Sequence, residues 1–328
     1  MSFMTPRARM DAVIHGEPLD RVPVALWRHF PHADQSAEGL AQAVIAFQKK
    51  FEFDLVKVTP ASGYMAEAWG AKLTPKNNDE GTRDYLSRPV QRHQDWRALQ
   101  SLDVTFGVLG RELQALKLIR REISDEVPVL QTIFSPLTTA RNLSGERWLS
   151  DLREHPDDLK AGLAVITETT LNFAHACLEA GADGLFFATQ LASYDFLTEA
   201  EYRAFGVEYD RQVLDAIKDQ AKLVVLHIHG VNIMFDLLKD YPVQVINWHD
   251  RRTPPSLAEA QKHFKGAVLG GLNEWDVLSR GKPADVKAQV KDALTQTSGR
   301  RFILGAGCVI PVTTPEANIK AARQSVLP

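Results

Sequence analysis

A histidine pair and a cysteine stand where two apolar runs end. Lys222–Asn232 reads KLVVLHIHGVN, which puts His227 and His229 two residues apart at the end of a β-branched run. Arg301–Pro311 reads RFILGAGCVIP and delivers Cys308, one of only two cysteines, after Gly305 and Gly307. Residues two apart on a strand share a face, so both imidazoles can project into one space. Cys308 joins them there if the two strands belong to one parallel sheet. Two imidazoles and a thiolate form a donor set that zinc binds well, with a fourth position left for water or substrate. The same three residues also read as polar groups lining a mouth with no ion between them.

Other apolar runs end in chemistry too. They give Trp27-Arg28-His29, Phe134-Ser135-Pro136, Thr189-Gln190, Asn247-Trp248-His249-Asp250 and Asn273-Glu274-Trp275. Five of the ten histidines (29, 32, 227, 229 and 249) fall at such ends. His249-Asp250 reads as a pair fixing a loop or as an orienter behind a metal ligand. Arg28 reads as a structural ion-pair member or as a clamp for an anionic substrate group. Glu274 has three readings: proton acceptor, metal ligand or helix cap. Cys177, in NFAHACLEAG, reads as a buried small hydrophobe.

These ends need a scaffold that gathers them. Strand-like runs fall at 22–27, 53–58, 128–133, 183–188, 222–228, 243–248, 267–271 and 301–305, with helical patterns between them. Thr198 with Glu201 three residues on is a capping-box spacing. Eight strands alternating with helices predict an α/β fold, a single (β/α)8 TIM barrel over residues 1–328, whose active site lies at the C-terminal mouth of the strands. The polar stretch 60–106, with Pro75, Asn77, Asn78 and Gly81, predicts an elaborated loop after strand 2, made of short antiparallel pieces or a lid. No G-x-G-x-x-G follows an early strand, which weakens a dinucleotide-binding alternative.

Composition narrows the classes. The 328 residues are 45% hydrophobic and 24% charged, with a net charge of −3. No bulk positive field draws the chain to nucleic acid or anionic lipid. No stretch approaches the roughly 20 apolar residues of a membrane span. The N-terminal MSFMTPRARMDAVIHGE lacks the apolar core of a signal peptide. Two cysteines make no disulfide framework, and a cytoplasmic protein acting on a small molecule is the expectation.

Longer segments carry a family resemblance. RMDAVIHGEPLDRVPVALWR resembles the start of the uroporphyrinogen decarboxylase superfamily, and AGADGLFFATQ followed by LTEAEYRAFGVEYDRQVLDAI is similar to its fourth strand and following helix. INWHDRRTPPSLAEAQKHF, AVLGGLNEWDVL and ILGAGCVIPVTTPEANIKA resemble its C-terminal third. The resemblance spans most of the chain and implies one (β/α)8 barrel, with homodimers common.

The superfamily implies two chemistries. One branch decarboxylates uroporphyrinogen without metal or cofactor. The other transfers methyl groups with zinc, activating a small thiol and working with corrinoid proteins. The decarboxylase residues are poorly kept. Arg28 alone matches an arginine pair, Ala61 stands near the family's catalytic aspartate, Asn142 near its tyrosine and Ala306 at its last-turn histidine. The methyltransferase pattern of His-x-Cys plus a late Cys becomes His227-x-His229 plus Cys308. The resemblance therefore implies zinc on His227, His229 and Cys308. Catalytic roles then go to His249, Asp250 and Glu274. Arg28, His29, Trp27 and Trp248 contact substrate, with Trp275 also walling the mouth. The alternatives are a cofactor-free decarboxylase of a carboxylated substrate, or a barrel that binds a ligand without turning it over.

Overall fold

In the computed structural model, which describes residues 3–327, all eight expected strands form and lie in one parallel sheet. In chain order they are β1 (Val24–Ala25) and β2 (Val56–Val58), a hairpin of β3 (Lys72–Asn77) and β4 (Arg83–Ser87), then β5 (Val129–Phe134), β6 (Gly184–Thr189), β7 (Leu223–Ile228), β8 (Val245–Trp248), β9 (Ala267–Leu272) and β10 (Phe302–Ala306). Hydrogen-bonded neighbours run β1-β10-β9-β8-β7-β6-β5-β2, with helices between the strands. This is a nearly closed (β/α)8 TIM barrel. Strands β5 to β10 are buried throughout, as strands covered on both faces must be.

The seam between β1 and β2 closes through one residue, Asp54, by its backbone N–H and its side chain, rather than through a ladder. Asp54 donates its N–H to Val24 O at 2.9 Å, and its Oδ2 accepts from Val24 N at 2.8 Å. The same carboxylate pairs with Arg9 and Arg21, and Arg9 also grips Asp20. The N-terminal segment is thus a clasp across the barrel's open edge.

Register decides which side chains meet. Paired residues of a parallel ladder face one side, and successive residues alternate. The pairs Lys57↔Leu130, Thr132↔Phe186, Ala188↔His227, His227↔Asn247, Asn247↔Leu269 and Ala25↔Gly305 therefore put one set of odd positions on β1, β2 and β7 to β10 inside the barrel. Their even neighbours face the helices.

The stretch after β2 is the antiparallel elaboration that its composition predicts. β3 and β4 pair around a turn built on Asn78, whose Oδ1 accepts from Glu80 N and Thr82 N. Gly81, at φ +86°, lies against His29, where an added Cβ would come within 2.6 Å of the His29 Cβ. Only glycine lets the tip fold this far over the mouth. The Thr198/Glu201 capping box forms, but the helix it starts passes through a π turn at Arg203–Val207 before Glu208–Ile217. Among the described residues, no helix is long and apolar enough to cross a membrane.

Candidate active site

At the C-terminal mouth His227, His229, His249 and Cys308 converge, each offering a ligand atom within 4.8 Å of the others. Cys308 Sγ lies 3.6 Å from His227 Nε2 and 3.7 Å from His229 Nδ1, and His249 Nε2 lies 3.3 Å from His229 Nδ1. Gly307 makes the approach possible, since a Cβ there would meet the His249 backbone at 2.8 Å.

Two neighbours fix which nitrogens face the cluster. Asn247 Nδ2 donates to Leu269 O and Ala306 O, so its Oδ1, 2.7 Å from His227 Nδ1, accepts the proton there. That leaves the His227 Nε2 lone pair aimed at Cys308. Glu274 Oε1 stands 2.9 Å from His249 Nδ1 and also accepts from Arg252 at 3.3 Å. It turns His249 Nε2 toward the cluster in the same way.

Charge follows geometry. Burial would raise the Cys308 thiol, but contacts with three imidazoles pull it well below its ordinary value. Burial opposes a charged His249, yet Cys308 and Glu274 outweigh it and push His249 up to about 10. Burial lowers His227. Burial, aided by Lys57, lowers His29 to about 4, so its ring is neutral near pH 7, with Nδ1 3.1 Å from Pro60 O. A thiolate beside imidazole lone pairs, backed by an amide and a carboxylate, is the donor chemistry that a borderline-soft divalent ion requires. The residues present fit zinc.

The cluster forms one wall of a cavity of about 600 Å³, part of it open to solvent. Trp27 and Phe186 form an aromatic wall, their ring centres 5.1 Å apart, and Phe186 stacks on His227 at 5.5 Å. Lys57, Thr59, Gln190 and, from the hairpin tip, Glu80 complete the lining. Trp275 holds the tip down, donating from Nε1 to Glu80 at 3.2 Å.

A family model for uroporphyrinogen decarboxylase (URO-D) matches residues 5–327. The chain belongs to the uroporphyrinogen decarboxylase family. It is 25% identical over 338 residues to methylcobamide:CoM methyltransferase MtbA of Methanosarcina mazei, covering 98% of this chain and 97% of that one. It is also 25% identical over 348 residues to the uroporphyrinogen decarboxylase of Anaeromyxobacter dehalogenans, covering 97% of each. The solved structure of a methyltransferase from Methanosarcina mazei shares the fold, with a TM-score of 0.84 at 22% identity over 98% of both chains.

Within this family member, the structure gathers some of the residues that the sequence nominates and turns others away. Trp27, His29, His227, His229 and Cys308 line the cavity. His249 and Glu274 stand directly behind or within the cluster. Arg28, Trp248 and Asp250 sit at even positions and face outward, correcting their expected roles. Arg28 donates to Val312 O and lies over the Phe30 and Phe47 rings. Trp248 packs on Phe235 and donates to Pro255 O. Asp250 accepts from Gly271 N and pairs with Arg251, supporting β9 from outside. Sequence reasoning passed over Lys57. The signal was one lysine at an odd position in the apolar run FDLVKV. Burial lowers it to about 7.

Proposed function

We propose that the protein is a zinc-assisted methyltransferase that acts on a small thiol or methylated substrate and works with a corrinoid-carrying partner protein. The observation that carries this reading is the convergence of His227, His229 and Cys308 on one point of a pocket wall. The kinship with methylcobamide:CoM methyltransferases supports it. So does the pocket's charge, because a porphyrinogen with many carboxylates needs many cations and, among the described residues, Lys57 is the one lysine or arginine in the lining.

His227, His229 and Cys308 would hold the ion, with residues 1–328 acting as one domain. Zinc, when bound, supplies a Lewis acid that lowers the pKa of a substrate thiol. The remaining work belongs to the chain. Asn247 keeps His227 Nε2 free of its proton. His249, kept as an imidazolium by Cys308 and by Glu274 on Nδ1, would donate from Nε2 at the cluster and steady the thiolate that a substrate becomes on losing its proton. Trp27, Phe186 and the β3–β4 tip exclude water from the pocket.

The test is metal stripping. Purified protein is expected to carry near-stoichiometric zinc and to move the methyl group of methylcobalamin to a small thiol. Chelation should abolish transfer, zinc should restore it, and Cys308→Ala should lose both metal and activity. Transfer that persists at full rate in stripped protein refutes the reading.

A further inference from the structure

A second group of metal-type ligands lies away from the barrel mouth. His93, His155 and Asp158 each offer a ligand atom within 4.8 Å of the others. His93 opens the 3-10 turn His93–Ala98, and only residues 88–92 separate it from β4. His155 caps the helix Pro156–Glu179, and Asp158 lies in that helix's first turn. His93 Nδ1 is 2.6 Å from Asp158 Oδ2, while the other carboxylate oxygen accepts from Arg97. The His155 ring lies face to face with that of His93, with centroids 3.7 Å apart and planes 8° from parallel. One imidazole would satisfy Asp158. The second makes no side-chain bond to the helix that it caps, and gives up water on one face to lie on a ring like its own.

Stacking sets the nitrogen edges of the two rings side by side, next to a carboxylate that Arg97 holds in place. Two imidazoles and a carboxylate suit zinc and its neighbours in the first transition series. The His93 and Asp158 side chains are 27% and 16% exposed, so an ion can reach them and they have room to part around it. The elements they join are already docked. Trp96 is fully buried and donates from Nε1 to Asp151 Oδ2 at 2.8 Å. Its ring occupies the space beside Gly162, where an added Cβ would come within 2.7 Å of Trp96 Cε3.

We propose that His93, His155 and Asp158 form a second, peripheral site for a divalent transition-metal ion of the zinc type, which clips the root of the β3–β4 hairpin to the barrel's helical layer. The ion takes the place of the proton between His93 Nδ1 and Asp158 Oδ2 and adds His155 as its third ligand, with water completing the shell. Binding cross-links residues 65 apart in sequence, and closing so long a loop gains stability for the folded state. The hairpin that covers the mouth extends from this point. The site shares no residue with the Cys308 cluster, so the proposal stands apart from the functional reading above.

The test titrates metal-stripped protein with cobalt(II) and with zinc, comparing wild type with His93→Gln, His155→Gln and Asp158→Asn. Wild type is expected to bind one more equivalent than each variant, or to hold that equivalent at least about 10-fold more tightly, since losing even a partner behind a ligand costs that much. Cobalt in this equivalent should give ligand-field bands without sulfur-to-metal charge transfer, which separates it from an ion on Cys308. Zinc should slow tryptic cleavage after Arg92 in wild type and not in the variants. Without metal, the variants should melt close to wild type. Equal metal binding in wild type and all three variants overturns the proposal. So does a bound ion that leaves cleavage after Arg92 unchanged, or loss of the fold in all the stripped variants, which would make the cluster structural. If the Cys308 site takes no metal, wild type should still bind one equivalent and each variant none, so the two readings fail separately.

Discussion

Asn247 decides which face of the His227 ring is basic. Its amide has committed both donor protons to backbone carbonyls, so only its oxygen is left for Nδ1. Asn247→Leu removes that acceptor and lets the imidazole carry its proton on Nε2, where the lone pair should be. Zinc affinity, read by competition with a chromophoric chelator, is expected to fall about 10- to 100-fold in the folded variant. Unchanged affinity would mean that the amide does not set the tautomer. At this scale the sequence was legible by residue type but not by side. Trp27, Arg28 and His29 are equally plausible on paper, as are Trp248, His249 and Asp250. Strand alternation admits only one parity, so Arg28, Trp248 and Asp250 belong to the helix-facing layer. Lys57 was hidden for the converse reason. A charged residue amid FDLVKV looks like a snorkelling surface group until the register turns it inward.

Among elements, the eight strands were legible because β-branched runs separated by helical periods leave few alternatives. The sequence runs overshoot at β1, where 22–27 shrinks to Val24–Ala25, because Asp54 rather than a ladder partner meets its free edge. The lid was legible only as polarity. Its placement depends on Gly81, which combines a left-handed backbone with contact against His29 and Val312. Gly81→Ala adds a Cβ 2.6 Å from one neighbour at φ +86°. It is expected to strain the turn by about 1–3 kcal/mol, lift the tip and release the Glu80–Trp275 bond. Limited proteolysis within residues 78–82 should quicken and the KM for the thiol should rise several-fold, with zinc content unchanged. Cleavage at the wild-type rate would show that the tip does not depend on this contact.

For the molecule as a whole, the barrel places several acids where water cannot reach them, and this sets how stability responds to pH. Burial raises Asp210 to about 7, although Tyr241 and Tyr202 donate to its Oδ2 at 2.9 and 3.1 Å, and burial raises Glu112 to about 7 and Asp250 to about 6. None of this was readable from sequence. Asp210 shares its helix with charged neighbours, and only the π turn at Arg203–Val207 and the helix it feeds bring Tyr202 and Asp210 together. An unfolded aspartate releases its proton near 3.9, while the folded one keeps it to about 7. Between those values the unfolded chain binds fewer protons than the native one, so stability falls as pH rises. All three acids act in that direction. Asp210→Asn removes one titration while keeping an oxygen for both tyrosines. The melting temperature of wild type is expected to drop from pH 5 to pH 8, and that of Asp210→Asn to drop less, with the gap equivalent to roughly 2–4 kcal/mol. Parallel curves for the two proteins across that window would show that Asp210 is already ionised in the folded barrel.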